Sequence, residues 1–335
     1  MKPHGLRFLF LGGSACLGEA LGWDAPRRVI SDLDLGAVTD RWIPLDAQED
    51  LRRLLASRRL LDGPEVTIGC YEACRLAEQA PTLGWVDLTH HAVALFGDAR
   101  WKDRFRAPAP SRIPRFEALR LIGNRALELW REAAQVAVAP PGEGEAALGF
   151  AHALAKAATG LGTSWLVQHG RYVSGLSARL ALLDELRGEL PSELRAAIEA
   201  FRGYFGRPGA GASPHGGVEL YRLALRRLLD EAGESPLERG LLSEPLRLRD
   251  LARGYARARR QGWSLWPLLR EAMTNADPLG SFEGRRWALA IRYWLEAGES
   301  DAWRRACRRW IGRDLPHEPQ AVEALDSGPG HLRCV

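Results

Sequence analysis

Residues 8–36 read FLFLGGSACLGEALGWDAPRRVISDLDLG, with a glycine-rich turn near the start and two aspartates near the end. An apolar run ends at Gly12 and Gly13, a short helical pattern follows, and a second apolar run carries Asp32 and Asp34. A glycine turn between a strand and a helix leaves backbone N–H groups available to a phosphate. Side chains two positions apart on a strand project from the same face, so both carboxylates point to one place. The stretch therefore predicts strand, turn, helix and strand, with a phosphate-type turn beside a carboxylate pair.

The composition is typical of a globular protein. The chain has 335 residues, of which 46% are hydrophobic and 26% charged, which is enough for one large or two ordinary domains. Charged residues interrupt every apolar run before it reaches the roughly 18–20 residues of a membrane span. The N-terminal residues also lack a secretory pattern, so we expect a cytoplasmic protein that is not bound to a membrane. A net charge of +4 is too small to indicate a nucleic-acid partner by itself.

Two domains are predicted from the change in pattern along the chain. Residues 1–110 mix short strand-type runs with helical patterns, which indicates an α+β domain. The segment RAPAPSRIP, residues 106–114, contains three prolines and is typical of a linker. From residue 115 to about 320 apolar residues recur every three or four positions, which predicts a mainly α-helical second domain.

Two alternative interpretations of the glycine turn point to other chemistry. GGSACLGEAL resembles the turn of short-chain dehydrogenases, with Gly12 and Gly18 at the family's spacing, and Asp32 or Asp34 could bind the ribose of NAD(P). The middle glycine of that pattern is replaced by Cys16, whose side chain would obstruct the approach of the pyrophosphate.

DLDLG also resembles the nucleophile motif of haloacid-dehalogenase-like phosphatases, but that motif ends the first strand of its fold. Here a strand and a glycine turn come first.

The carboxylate pair points to a metal ion for a physical reason. Two ionised carboxylates as close as Asp32 and Asp34 repel each other, and a divalent cation neutralises both. Oxygen ligands favour Mg²⁺ or Mn²⁺. A metal beside a phosphate-binding turn is what a nucleoside triphosphate requires.

Together, Gly13-Ser14, the short helix and Ser31-Asp32-Leu33-Asp34 resemble the signature of the DNA polymerase β type nucleotidyltransferase superfamily, especially its minimal and antibiotic-modifying branches. The resemblance is strong for about thirty residues and extends to about residue 180. It implies an N-terminal nucleotidyltransferase fold, with a mixed sheet and helices, followed by a helical substrate-binding domain.

The resemblance also implies a role for each matching residue. Gly13 and Ser14 would hold the β and γ phosphates, and Asp32 and Asp34 would bind both metal ions. Glu65, which precedes the apolar run VTIGCY, would supply the third carboxylate and deprotonate the acceptor. Transfer of a nucleoside monophosphate from a Mg²⁺-bound nucleoside triphosphate would then release pyrophosphate.

Further candidates lie outside the opening stretch. Asp87 is the alternative to Glu65 as the third carboxylate. Lys156 is one of three lysines in an arginine-rich chain, and it matches the helical-domain lysine that similar enzymes use against the triphosphate. His169, Arg171 and Tyr172 follow one helix length later and are candidates to line the active-site cleft that we expect between the two predicted domains.

The acceptor is the least defined part of the prediction. A small polar molecule is favoured over a nucleic acid or a protein, because the second domain is large enough to form a pocket and the net charge is mild. A non-catalytic, antitoxin-like binding protein that keeps the fold is the other open alternative, together with the dehydrogenase.

Overall fold

The computed structural model describes most of the sheet and most of the central helices. The described residues are 5–16, 22–23, 28–29, 33–41, 43, 50, 66–78, 81–98, 100, 109–138, 144–202, 204, 214–232, 290–291 and 294–295.

A four-stranded mixed sheet forms the centre of the N-terminal part. Its strand order is β5-β4-β1-β6; β1 is antiparallel to both β4 and β6, and β4 is parallel to β5. Two very short strands, β2 and β3, form a separate antiparallel pair. The strands are β1 (Leu6–Gly12), β2 (Gly22–Trp23), β3 (Arg28–Val29), β4 (Leu33–Thr39), β5 (Val66–Glu72) and β6 (Val93–Gly97).

Apolar side chains cover both faces of this sheet. Phe8 and Phe10 alternate along β1 with less buried residues, and they pack on one face with Trp85 and Leu88 from the helix that follows β5. A second cluster on other residues of the sheet contains Ala37, Ile68 and Cys70, with partly buried leucines around it. Burial of alternate residues is what the strand periodicity of two predicts.

Seven α-helices lie within the described part of the chain, together with two short 3₁₀ turns, Ala73–Glu78 and Pro110–Arg112. The helices are α1 (Gly13–Cys16), α2 (Leu83–His90), α3 (Phe116–Val138), α4 (Gly144–Gln168), α5 (Leu176–Glu185), α6 (Ser192–Arg202) and α7 (Pro214–Ala232). None of these helices combines the length and the apolar character needed to cross a bilayer.

The chain divides into two compact units. The sheet unit comprises Met1–Pro114 and His169–Glu185, and the helical unit comprises Arg115–Gln168 and Leu186–Val335. The segment His169–Glu185, which contains α5, therefore leaves the helical unit after α4 and belongs to the sheet unit. The prediction of domains 1–110 and 115–320 did not anticipate this segment, and as a division into independent domains it stays a prediction.

Helix α4 is the central element of the helical unit, where it contacts α3, α6 and α7. Small buried residues, among them Ala118 of α3 and Ala155 and Ala158 of α4, allow the helices to approach closely. The buried Ser164 hydroxyl on α4 donates a hydrogen bond to the Ala118 carbonyl at 3.1 Å. The α3 and α4 packing is thus both apolar and specific.

The α+β class is confirmed by the sheet and the helices. The strand, turn, helix and strand predicted within residues 8–36 correspond to β1, the Gly13 turn, α1 and β4. The parallel pairing of β4 with β5 was not predicted. The sequence AQEDLRRLLASRRLL, residues 47–61, is one of the helical patterns of the first predicted domain, and it lies outside the described residues except for Asp50. The nucleotidyltransferase fold itself stays a prediction.

Candidate functional site

The glycine turn at the end of β1 has a geometry that requires glycine. Gly13 begins α1 with φ of +66°, in the left-handed region that other residues rarely adopt. A Cβ atom at Gly13 would overlap the Asp34 carboxylate. A Cβ atom at Gly12 would overlap the Leu88 side chain on α2. Both glycines are therefore explained by close approach, and the one at 13 brings the turn directly against a carboxylate.

Asp34 lies at the sheet edge where this turn begins. It is the second residue of β4, it is half-buried, and its Cα partners are Gly12 on β1 and Thr67 on β5. Because β1 runs antiparallel to β4 and β5 runs parallel to it, the end of β1 and the starts of β4 and β5 meet at this edge. One of the predicted metal ligands thus lies next to the predicted phosphate-binding turn.

The other two predicted carboxylates lie outside the described residues. Asp32 directly precedes Leu33 in the chain, Glu65 directly precedes Val66, and the Cα atoms of Leu33 and Val66 are partners across β4 and β5. Ser14 lies within α1, but its side chain is also outside the described part. Within the described residues, no three His, Cys, Asp or Glu side chains come together in a way that could hold a metal ion.

Cys16 has a local partner that the sequence did not indicate. Its thiol donates a hydrogen bond to the Leu11 carbonyl at 3.0 Å, so the side chain is held back towards the end of β1. The residue that breaks the dehydrogenase-type glycine spacing is thus an integral part of the turn.

Asp87 lies on helix α2, and its carboxylate accepts several hydrogen bonds. The Tyr172 and Ser174 hydroxyls each donate to Asp87 Oδ1 at 2.6 Å, and Arg179 Nη1 donates to Asp87 Oδ2 at 3.1 Å. We call Asp87, Tyr172, Ser174 and Arg179 the Asp87 cluster. All four residues belong to the sheet unit. The alternative third carboxylate is therefore on a helix and already has partners, whereas Glu65 stays the predicted ligand.

Two of the donors in the Asp87 cluster are little exposed: Tyr172 is buried, and the Arg179 side chain is 13% exposed. Arg179 Nη1 also donates to Tyr172 Oη at 2.8 Å, and the guanidinium carbon of Arg179 lies 5.4 Å from the Tyr172 ring centroid. Burial raises the pKa of the Tyr172 phenol well above its usual value; Arg179 opposes that rise and Asp87 adds to it. Tyr172 is therefore a stable hydrogen-bond donor at all physiological pH values.

Lys156 lies on α4, as the helical pattern predicts, and it has a carboxylate partner in the helical unit. Its Nζ donates to Glu128 Oε1 at 3.0 Å, and Arg125 forms an ion pair with the other oxygen of Glu128. We call Glu128, Arg125 and Lys156 the Glu128 cluster. Burial by itself raises the pKa of Glu128, but the charges and hydrogen bonds of Arg125 and Lys156 outweigh it and lower that pKa to about 2.

Two further titratable groups lie beside the Glu128 cluster. His152 is buried on α4, and both of its ring nitrogens lack a hydrogen-bond partner within the described part of the chain. Burial, aided by the positive charge of Lys156, lowers the pKa of His152 to about 4. Burial also raises the pKa of Glu132, and the nearby Glu128 carboxylate adds to that rise. The helical unit thus holds a neutral buried histidine next to a compensated ion-pair network.

Sequence reasoning singled out Tyr172 and Asp87 separately but did not predict that they meet. The hydrogen-bonded atoms are 85 residues apart in the chain, and no local spacing signals such a pair.

Comparison of the chain with protein-family models, with curated proteins and with solved structures finds no match.

Proposed function

We propose that the protein is a nucleotidyltransferase, which transfers a nucleoside monophosphate from a nucleoside triphosphate to a hydroxyl or phosphate group and releases pyrophosphate. The observation that carries this proposal is the contact distance between the glycine turn and the Asp34 carboxylate, which leaves no room for a Cβ at Gly13. The proposed carboxylates would hold a metal ion that supplies positive charge beside the phosphates, so the carboxylates and the phosphate-binding turn must be neighbours. A turn and a carboxylate in contact at one sheet edge meet that requirement.

Asp34 lies at this edge, and the other two proposed ligands, Asp32 and Glu65, lie outside the described residues. All three supply only carboxylate oxygens, which fit Mg²⁺ or Mn²⁺. The metal, when bound, neutralises the charge of the triphosphate and of the departing pyrophosphate. The backbone at Gly13 and Ser14 binds the β and γ phosphates and aligns the triphosphate.

Glu65 accepts the proton of the attacking acceptor group. The acceptor oxygen then forms a bond to the α phosphorus, the bond from that phosphorus to the bridging oxygen breaks, and pyrophosphate leaves with the electron pair. Asp32 and Asp34 need only hold their positions during this step, since alignment and charge neutralisation supply most of the rate increase.

Lys156 is the proposed additional contact to the triphosphate. Its ammonium group is bound to Glu128, so a phosphate would have to share Lys156 with that carboxylate or displace it. The Lys156 side chain is 21% exposed.

The acceptor is proposed to be a small polar molecule, such as a sugar, a sugar phosphate or an aminoglycoside-like compound. The mild net charge of +4 supports this class over a polyanion such as RNA. Action on a protein acceptor is not favoured, and the protein is proposed to work in the cytoplasm.

The test is incubation with each α-labelled nucleoside triphosphate, Mg²⁺ and a metabolite extract. We expect pyrophosphate and a labelled adduct from the wild-type protein, and a loss of at least a thousand-fold in the double variant Asp32→Ala, Asp34→Ala. The matched control is Asp40→Ala, which removes an exposed aspartate just beyond the other end of β4 and should leave the rate unchanged. Equal pyrophosphate release by the double variant would contradict the proposal.

Thermal shift separates this function from the two alternatives. Mg²⁺ with a triphosphate should raise the melting temperature by mass action, whereas NAD(P)H should not. Stabilisation by NAD(P)H alone would support a dehydrogenase, and triphosphate binding without any turnover would support a non-catalytic binding protein.

A further inference from the structure

Helix α2 packs against the glycine turn. Leu88 of α2 fills the space that a side chain at Gly12 would occupy, and α2 contacts both β1 and α1. Trp85 and Leu88 also pack in the core with Phe8 and Phe10 of β1. Any shift of α2 along or away from the sheet would therefore change the packing at the start of the turn.

A different side of α2 is attached to a distant part of the chain. Asp87 lies between Trp85 and Leu88 in sequence, is only half-buried, and accepts the hydrogen bonds from Tyr172, Ser174 and Arg179. The donors belong to the segment His169–Glu185, which is part of the sheet unit although it follows α4 directly in the chain. One short helix thus contacts the turn through Leu88 and this segment through Asp87.

We propose that the Asp87 cluster is a positioning device for the glycine turn: it holds α2, through α2 it holds Gly12 and Gly13 against Asp34, and so it maintains the phosphate-binding conformation. The proposal rests on the proposed function in that the turn is taken to bind phosphate. None of the four residues has to touch the nucleotide for this effect.

The contacts of the cluster are suited to hold a position. Arg179 is only 13% exposed and donates through one nitrogen both to the carboxylate and to Tyr172, so its placement is defined by two partners. Tyr172 is almost completely buried and stays protonated, which keeps its hydrogen bond to Asp87 formed. Charge-assisted hydrogen bonds in a buried setting tolerate little displacement of their partners.

The same segment is continuous in the chain with α4, which carries Lys156, and it ends where the chain re-enters the helical unit at Leu186. The Asp87 cluster therefore links α2, which packs against the turn, to the segment His169–Glu185. At both of its ends this segment continues in the chain into the helical unit. A change in that segment is expected to reach the turn through α2.

The test compares Arg179→Gln and Tyr172→Phe with the control Arg7→Gln. Arg7 lies at the opposite end of β1 and forms an exposed ion pair with Asp40 at 2.7 Å, so the control also breaks an arginine–aspartate pair in the sheet unit. Hydrogen exchange of the backbone amides is measured by mass spectrometry for Gly12–Cys16 and, as an internal reference, for residues 68–70 of β5. Ile68 and Cys70 belong to the second core cluster and not to the one that contains Trp85. The affinity for Mg-ATP is measured on the same variants.

We expect the exchange rate of the turn, relative to that of β5, to rise at least five-fold in Arg179→Gln and at least two-fold in Tyr172→Phe. The Mg-ATP dissociation constant should rise by comparable factors, and Arg179→Lys, which keeps a cation beside Asp87, should recover part of both effects. If the cluster only stabilised the sheet unit as a whole, the exchange rates of the turn and of β5 would rise together. The ratio of the two rates would then stay unchanged.

An unchanged ratio in both variants would overturn the proposal, even if both proteins were less stable. Because hydrogen exchange is measured without nucleotide, it tests the positioning role independently of whether the protein is a nucleotidyltransferase. If the wild-type protein bound no triphosphate, the proposed function would fail while the exchange ratio would still decide the positioning role.

Discussion

The sheet unit and the helical unit each contain a carboxylate with several donors, but the donors differ in kind and in burial. In the Asp87 cluster one arginine and two hydroxyls serve the carboxylate, and the arginine is 13% exposed. In the Glu128 cluster two cations serve the carboxylate, and they are 21% and 32% exposed. The first depends on one arginine of low exposure and on two neutral hydroxyls, of which that of Tyr172 is buried. The second depends only on cations, and both of them are more exposed than Arg179.

This difference determines how much stability is lost when the carboxylate is removed and its donors lose their acceptor. A buried hydroxyl or guanidinium without its acceptor bears the full desolvation cost, but a cation near the surface regains hydration. Because its donors are less exposed, we expect removal of the carboxylate to cost more stability in the Asp87 cluster than in the Glu128 cluster.

The largest effect is expected for Asp87→Ala. It leaves the buried Tyr172 hydroxyl and the Arg179 guanidinium without their shared acceptor, so the free energy of unfolding should fall by about 3–5 kcal/mol. Urea unfolding followed by tryptophan fluorescence measures this change. The control Asp40→Ala removes an exposed carboxylate and should leave the midpoint where it is. A loss below about 1 kcal/mol for Asp87→Ala would show that the buried donors find other partners.

The next effect concerns the pH dependence that His152 adds beside the Glu128 cluster. The pKa of His152 is lowered to about 4 in the folded protein, from 6.5, so between these values the unfolded chain binds a proton that the folded protein does not. Stability is therefore lost as the pH falls from about 6.5 to 4, by about 3 kcal/mol in total. Urea unfolding between pH 7.5 and pH 4 should reveal this loss in the wild-type protein.

His152→Gln should remove that part of the pH dependence. His90→Gln is the matched control, because His90 is an exposed histidine at the end of α2. If His152→Gln lost stability on acidification as steeply as the wild-type protein, the buried histidine would not be the group that titrates.

A smaller effect is expected for Glu128→Gln. The lowered pKa of Glu128 contributes stability that is present above about pH 4.5 and is lost as the pH falls to about 2. Because the cluster is partly exposed, we expect a loss of about 1–2 kcal/mol at pH 7, less than the shift alone would give. Unfolding curves at pH 7 and pH 2.5 should show a difference between variant and wild type that shrinks with acid.

The control for Glu128→Gln is Glu199→Gln, which breaks the exposed pair between Arg187 and Glu199 in the same unit. A difference for Glu128→Gln that is the same at both pH values would argue against ionic stabilisation of this cluster.

The smallest effect is expected for Ser174→Ala, which removes one neutral hydroxyl from the Asp87 cluster. The loss should be about 1 kcal/mol in the wild-type background, and close to zero when Asp87→Ala is already present. A double-mutant cycle in urea measures this coupling. Additive losses would mean that Ser174 acts through contacts other than Asp87.

The parts of the structure that were predictable are those set by local pattern. The apolar run that ends at Gly12 predicts a strand, and the three- and four-residue periodicity predicts helices such as α3 and α4. Glycine at position 13 after an apolar run predicts a turn. These features depend on neighbours in sequence, so the sequence alone is enough to identify them.

The parts that were not predictable depend on which elements meet. The pattern could not indicate that Asp87 would accept hydrogen bonds from residues 85 to 92 positions later, because tyrosine, serine and arginine at that spacing form no motif. It also could not indicate that Lys156 would bind Glu128, which is on the neighbouring helix, although each was predicted to be helical.

By itself the sequence determined the α+β class, the position of the turn and the carboxylates that make nucleotidyl transfer the proposed function, because backbone preference and residue chemistry are local properties. The tertiary structure alone decided that the Gly13 turn lies against Asp34 and that Asp87 lies among the donors from Tyr172 to Arg179. Both contacts require strands or segments distant in the chain to be brought together by core packing. The free energy for that comes from the burial of residues such as Phe10 and Trp85, and not from the polar groups that are brought together.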